Sequence, residues 1–221
     1  MFSTRKALAV VAGSTLLLGL GSTTAGYADG PDSEESPELA AEIMAEPWPT
    51  YAAGDSDPNV AVAKILLDLE GYYEWDVDAA PEEQQHFGDD LEQALYEIQE
   101  DLDIGENGEL HAEVWNHFDH LQFAGGTDAW GPGDGRTYYD SPDVGWEVGA
   151  IQRMLIKWDY ADDSDNTGHY ADTRDAVVEF QSDTCREGAD PEDPDAECLD
   201  DDGLTGTLTW RALVTGGIGP A

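Results

Sequence analysis

The sequence predicts a mainly α-helical protein built from two tandem small three-helix bundles. Three observations support this: apolar residues recur at helical spacing, capping residues flank them, and the same series of elements occurs twice in 221 residues. We expect copy 1 at residues 47–123 and copy 2 at residues 141–217. A Gly-rich linker at 124–140 joins them. A signal peptide at 1–28 and a poorly ordered acidic leader at 29–46 precede them.

The N-terminal segment has the features of a secretory signal peptide. Arg5 and Lys6 precede an apolar run that extends to Leu20, and small residues lead to Ala28. We expect cleavage after Ala28. Crossing a bilayer takes about 20 continuous apolar residues, and this run is shorter and is interrupted by Gly13. The mature protein is therefore expected to be secreted and to have no membrane segment.

The charge of the chain argues against nucleic acid as a partner. All 49 acidic residues follow Ala28 and two of the nine basic residues precede it, so seven basic residues remain and the mature formal charge is −42. Binding a phosphate backbone depends on Lys and Arg that displace counterions. The acidity indicates either a solvated surface suited to a salty or alkaline habitat, or weak cation binding by carboxylate clusters such as 192–202.

A specific metal site is not expected from the sequence. Residues 163–168 begin like a calcium-binding loop, but Arg174 occupies the twelfth position, where such a loop needs a bidentate Glu. His111, His117 and His120 lack the spacing of a zinc hydrolase. We expect no metal and no other cofactor.

Two cysteines, Cys185 and Cys198, remain in the mature chain. Such a pair in an exported protein indicates a disulfide. The alternative is a thiol nucleophile, which needs a base and an electropositive setting. Because Asp and Glu crowd the segment after Cys185, we favour the disulfide.

The first helix of each copy has a predicted start, apolar face and end. In copy 1, Asp57 is the expected cap, Pro58 suits the first turn, and Gly71 ends the helix. In copy 2, Tyr160 takes the place of Tyr72, 88 residues later. The apolar face repeats at the same separation: Val60, Ala63 and Leu67 in copy 1, and Val148, Ile151 and Leu155 in copy 2.

The second and third helices repeat in a changed register. Gln99 and Gln181, near the end of the second helix, are 82 residues apart, whereas Trp115 and Trp210 in the third helix are 95 apart. The excess of 13 residues lies where the cysteines are. We therefore expect copy 2 to carry an acidic insert, closed by the disulfide, between its second and third helices.

The order of motifs resembles the peptidoglycan-binding domain family. Copy 2 has a helix that ends in Phe180-Gln181, an Asp202-Gly203 turn and a helix with Thr209-Trp210. Copy 1 supplies a Gly71-Tyr72 turn and Ile98-Gln99. Repeats of that family read as a helix, a Gly-aromatic turn, a helix ending in Phe-Gln, an Asp-Gly turn and a Thr-Trp helix. The resemblance covers most of the mature chain.

The resemblance implies a secreted, non-catalytic protein that binds peptidoglycan, or its peptide or glycan fragments, in the cell wall. Two weak sites on one chain would act by avidity. A second possibility, from a different class, is an extracellular interaction protein or a regulatory partner of a secreted wall hydrolase. The candidate ligand-binding residues are Gln99, Gln181, Asp202, Gly203, Thr205 and Trp210.

Each of these residue types also has a structural interpretation. Trp210 has the spacing of a packed core residue, and Gly203 suits a turn with unusual dihedral angles. The amides of Gln99 and Gln181 are suited either to a ligand or to capping the backbone of the following turn.

We do not expect an enzyme. The two copies, the linker and the leader account for most of the chain. The sequence has no Gly-x-Ser-x-Gly motif for a nucleophilic serine and no HExxH zinc motif. Carboxylates are so numerous that no pair stands out as the acid and base of a glycoside hydrolase.

Overall fold

The computed structural model describes residues 29–31, 35–123, 136–162, 167–186 and 197–217. These ranges contain eight α-helices, a 3-10 turn at Tyr170–Asp172 and isolated β-bridges, but no strand. The helical class predicted from the sequence is therefore confirmed. The helices are α1 (Pro37–Ala45), α2 (Pro58–Glu70), α3 (Pro81–Gln85), α4 (Asp89–Asp101), α5 (Ala112–Phe123), α6 (Trp146–Lys157), α7 (Arg174–Asp183) and α8 (Thr207–Thr215).

Helix α2 begins and ends at the residues that the sequence indicates. Asp57 is the N-cap and its side chain accepts a hydrogen bond from the main-chain N of Asn59 at 2.8 Å. Pro58 occupies the first turn, where its missing N–H is no loss. Gly71 ends the helix at φ 82°, in the left-handed region that glycine adopts without strain.

Helix α6 presents the corresponding face in copy 2, and Val148, Ile151 and Leu155 are all fully buried. After α6, Asp159 adopts φ 64° at the position where copy 1 has Gly71. Asp is among the few residues other than glycine that visit the left-handed region. The chain thus makes the same turn in both copies with a different residue.

Two pairs of β-bridges recur in the two copies. Tyr51 pairs with Leu110 and Tyr139 pairs with Thr205, so the segment before the first helix is tied to the segment before the third. Ser56 likewise pairs with His86, and Val144 with His169. These matching bridges are long-range contacts that helical periodicity cannot predict.

The first helices of the two copies, α2 and α6, pack against each other. Lys157 Nζ lies 3.0 Å from Asp57 Oδ1, and Asn59 Nδ2 donates to the main-chain O of Val214 at 2.9 Å. Buried apolar side chains of both copies form one continuous core. The Gly-rich linker had left the relative orientation of the copies open, and the shared core now defines it.

The acidic leader, which we expected to be poorly ordered, contains a helix. Residues 37–45 form α1, which Ser36 caps by accepting from the main-chain N of Leu39 at 3.0 Å. Leu39 and Ile43 are fully buried and α1 contacts α8. The expectation of poor order at 29–46 is therefore wrong for 29–31 and 35–46, because these two apolar residues, one helical turn apart, have a partner in copy 2.

The predicted disulfide joins Cys185 and Cys198. It lies between α7 and α8, as the register change indicated. Tyr139, near the end of the expected linker, is fully buried, and its main-chain N donates to the main-chain O of Thr205 at 2.9 Å. The signal peptide, residues 124–135 of the linker and residues 187–196 of the acidic insert lie outside the described residues.

Candidate functional site

The amide of Gln181 organises the turn that precedes α8. Its Oε1 accepts a hydrogen bond from the main-chain N of Gly203 at 2.9 Å. Its Nε2 donates to the main-chain O of Leu204 at 2.8 Å and contacts Asp202 Oδ1 and Thr209 Oγ1 at 3.2 and 3.1 Å. The side chain is fully buried, so the amide has the backbone-capping role that was one of its two possible roles.

Gln99 makes the same arrangement in copy 1. Its Oε1 accepts from the main-chain N of Asn107 at 3.0 Å and of Gly108 at 2.9 Å, and its Nε2 donates to the main-chain O of Glu109 at 2.8 Å. Gly108 and Gly203 have nearly equal φ angles of 68° and 70°. The two copies therefore share one construction: a buried glutamine at the end of the second helix holds a left-handed glycine turn before the third.

The other candidate residues lie in or behind the copy 2 turn, which precedes α8. Thr205 is fully buried and its Oγ1 is 2.8 Å from the hydroxyl of Tyr170. Trp210 is fully buried in the core. Asp202 is partly exposed, and its Oδ1 accepts from the main-chain N of Leu204 at 2.8 Å. The structure thus brings Gln181, Asp202, Gly203 and Thr205 together. Direct ligand contact by any of the six candidates stays a prediction, and Asp202 is the member with exposed surface.

A second repeated contact ties the end of the first helix to the end of the second. The hydroxyl of Tyr72 donates to Asp101 Oδ2 at 2.8 Å, and the hydroxyl of Tyr160 donates to Asp183 Oδ2 at 3.0 Å. The tyrosines are 88 residues apart and the aspartates 82, which are the two registers found in the sequence. Copy 2 therefore repeats copy 1 in its side-chain hydrogen bonds as well as in its helices.

An open pocket of about 580 Å³ follows α2 in copy 1. Three aromatic rings and three carboxylates line it. Such a volume is within the usual range of small-molecule sites, which combine aromatic walls with a few polar groups. The lining residues are Tyr72, Tyr73, Glu74, Trp75, Asp76 and Asp90.

Hydrogen bonds and charge fix the wall of this aromatic pocket. The hydroxyl of Tyr73 donates to Asp90 Oδ2 at 2.7 Å, and Lys64 Nζ lies 5.7 Å from the centre of the Tyr73 ring. Burial raises the pKa of Tyr73, and the bond to Asp90 raises it further. Burial alone would raise the pKa of Asp90, but the bonds from Tyr73 and Leu91 and the charge of Lys64 lower it. Asp90 is therefore an anionic acceptor near neutral pH.

Two contacts hold Trp75 in place. Its main-chain N donates to Asp68 Oδ1 at 3.1 Å, and the guanidinium of Arg153 lies 5.0 Å from the ring centre. Arg153 belongs to α6, so copy 2 supports a wall of the copy 1 pocket. A fixed aromatic surface next to carboxylates can stack on a sugar ring and accept hydrogen bonds from hydroxyl or amine groups.

The sequence alone does not indicate this pocket. In the sequence, Gly71 and Tyr72 mark only the end of a helix. The available signal was the concentration of three aromatic residues within 72–75, next to acidic residues. The approach of Asp90, which lies 17 residues after Tyr73, depends on tertiary structure.

Two of the histidines lie against neighbouring carboxylates. His117 Nε2 lies 2.8 Å from Glu70 Oε2, and His111 Nδ1 lies 2.7 Å from Glu113 Oε2. Within the described part of the chain, no group of three or more His, Cys, Asp or Glu residues has a geometry that could hold a metal ion. The calcium-like segment lies at residues 163–168, of which 163–166 fall outside that part.

In those same ranges, no helix is both long and apolar enough to cross a bilayer. Comparisons of the chain with protein-family models, with curated proteins and with solved structures find no match.

Proposed function

We propose that the chain is a secreted, non-catalytic protein that binds the cell wall through two tandem modules of the peptidoglycan-binding type. The observation that carries the proposal is the turn held by Gln99 in copy 1 and by Gln181 in copy 2, with matching hydrogen bonds to main-chain atoms. It gives a structural reason for the order of motifs on which the resemblance depends. Two copies on one chain raise the effective concentration of the second binding event.

The aromatic pocket supplies the ligand contacts in copy 1 under this proposal. Tyr73 and Trp75 offer aromatic surfaces, while Glu74 and Asp76 are exposed acceptors. A glycan ring or the amine of a wall peptide fits these groups better than a phosphate or a carboxylate does, because the carboxylates repel anions. Asp202 provides a partly exposed acceptor at the turn of copy 2.

Retention of the mature protein on purified peptidoglycan tests the proposal. We expect Tyr73→Ala and Glu74→Gln to reduce the retained fraction severalfold. Trp146→Ala is the matched control, because Trp146 is 44% exposed and lies outside the pocket. Equal retention of all four proteins would show that the pocket does not bind peptidoglycan. Thermal unfolding of each variant separates loss of binding from loss of fold.

The charge favours a second candidate function. Bacterial walls are themselves anionic, so a mature charge of −42 opposes the approach to a wall at low salt. An extracellular partner protein with a basic surface, such as a secreted wall hydrolase, would be attracted by it. No retention on peptidoglycan, together with saturable binding to such a hydrolase, would favour this function. Sustained release of soluble wall fragments by the purified protein would instead indicate an enzyme.

A further inference from the structure

Asp29, the first residue after the expected cleavage site, is fully buried. Its carboxylate accepts hydrogen bonds from the main-chain N of Leu208 at 2.9 Å and of Thr209 at 2.9 Å, and from the Thr209 hydroxyl at 2.5 Å. Leu208 and Thr209 are in the first turn of α8, where main-chain N–H groups lack partners within the helix. Asp29 thus caps a helix that lies 179 residues further along the chain.

The main chain of Asp29 packs closely against Gly206, the residue before α8. A Cβ atom at Gly206 would come within 2.6 Å of Asp29 Cα and 2.7 Å of its main-chain O. Gly206 has φ −106°, a backbone conformation open to other residues, so the space and not the dihedral angle favours glycine there. An alanine at 206 would displace Asp29 from α8.

The carboxylate of Glu35 accepts a hydrogen bond from the main-chain N of Asp29. Burial raises the pKa of Glu35, and the charges of Asp200 and Asp202 raise it further, whereas hydrogen bonds from the main-chain N–H groups of Glu35 itself and of Asp29 lower it. Glu35 Oε1 is buried and has no hydrogen-bond partner. Burial likewise raises the pKa of Asp29 to about 7, against the hydrogen bonds from Thr209. The region has an excess of negative charge next to a neutral amide.

We propose that cleavage of the Ala28–Asp29 bond completes this region by placing the new α-ammonium group of Asp29 against Glu35. Hydrolysis takes up one water, leaving a carboxylate on Ala28 and an amine on Asp29, which is protonated at neutral pH because the ordinary pKa of an α-amine is about 8. The side chain of Asp29 caps α8 while its ammonium offsets the charge of Glu35. Since Asp29 is buried after docking, cleavage precedes docking, and the processed N-terminus locks the leader onto copy 2.

The amino terminus of the exported protein provides the first test. Mass spectrometry of protein secreted from the full-length precursor is expected to find Asp29 as the first residue. A different first residue would overturn the proposal. The second test compares the mature protein, released from a fusion so that it begins at Asp29, with the same chain acetylated at that N-terminus, in which the nitrogen of Asp29 is a neutral amide.

Glu35→Gln is expected to have opposite effects in these two forms. In the mature form it removes the partner of the ammonium and lowers the melting temperature. In the acetylated form it removes a carboxylate that has no ammonium beside it and raises the melting temperature. A shift of the same sign in both forms would contradict the proposal, and this comparison does not depend on ligand binding.

The reactivity of the α-amine gives an independent measurement. An ion pair that raises the pKa of the amine by about one unit slows its acylation at pH 7 about tenfold. We expect slow acylation of Asp29 in the mature protein. Acylation should be about tenfold faster in Glu35→Gln, and also in Gly206→Ala, which keeps Glu35 but expels Asp29. Equal rates in all three proteins would show that the ammonium is not bound.

Discussion

Replacement of Gln99 by leucine separates a structural role of this residue from a ligand-binding role. Leucine has a similar size but can neither accept from Gly108 and Asn107 nor donate to Glu109. A buried polar group without a partner costs about 1–3 kcal/mol. Gly108 is buried, Glu109 is partly buried and Asn107 is exposed, so water can replace the partner of Asn107 alone. We therefore expect a loss of about 2–4 kcal/mol in the free energy of unfolding.

Urea unfolding at pH 7, followed by tryptophan fluorescence, measures this loss. Gln93→Leu is the matched control: Gln93 is exposed on the same helix, where its amide contacts Glu97, and surface substitutions usually change stability by less than about 0.5 kcal/mol. If Gln99→Leu has the same free energy of unfolding as Gln93→Leu but no longer binds peptidoglycan, the amide of Gln99 binds the ligand and does not stabilise the turn.

Three further predictions concern stability. Burial raises the pKa of Asp119 to about 6, although the charge of Arg211 lowers it. The stability that the protonated carboxyl contributes is therefore fully present below pH 4 and is lost as the pH rises through 6. Asp119→Asn should raise the free energy of unfolding by about 1–2 kcal/mol at pH 8 and hardly at all at pH 4. The double variant Cys185→Ser/Cys198→Ser should lose about 3 kcal/mol in the free energy of unfolding, because the disulfide no longer restricts the entropy of a short loop in the unfolded chain. An unchanged melting temperature would contradict this. Asp159→Gly should gain about 0.5–1 kcal/mol by relieving a left-handed backbone conformation, whereas a loss in a thermal scan would show that the Asp159 side chain is needed.

Local signals predicted the helices well. Asp57, Pro58 and Gly71 mark both ends of α2 through interactions within a few residues, which a sequence displays directly. The disulfide was predictable because the pair remains after the expected removal of the signal peptide. The turn at Gly203 followed from its residue type, since glycine is favoured at a positive φ.

Long-range contacts could not be predicted in this way. Leu39 and Ile43 are too few to indicate a stable helix in isolation, and α1 forms because α8 covers them. Asp29 caps α8 across 179 residues, and the approach of Asp90 to Tyr73 requires the fold. The glutamines show a third case, because both possible roles of their amides were visible in the sequence, and only the observed burial assigns them to the turns.

The salt dependence of peptidoglycan binding tests the proposed function most directly. Mature protein would be incubated with peptidoglycan stripped of teichoic acid, at salt concentrations from about 10 mM to 1 M, which shorten the Debye length from about 30 to 3 Å. We predict that the retained fraction rises with salt, because screening removes the repulsion of a chain of charge −42 while the short-range contacts of the aromatic pocket remain. The absence of retention at every salt concentration would contradict wall binding.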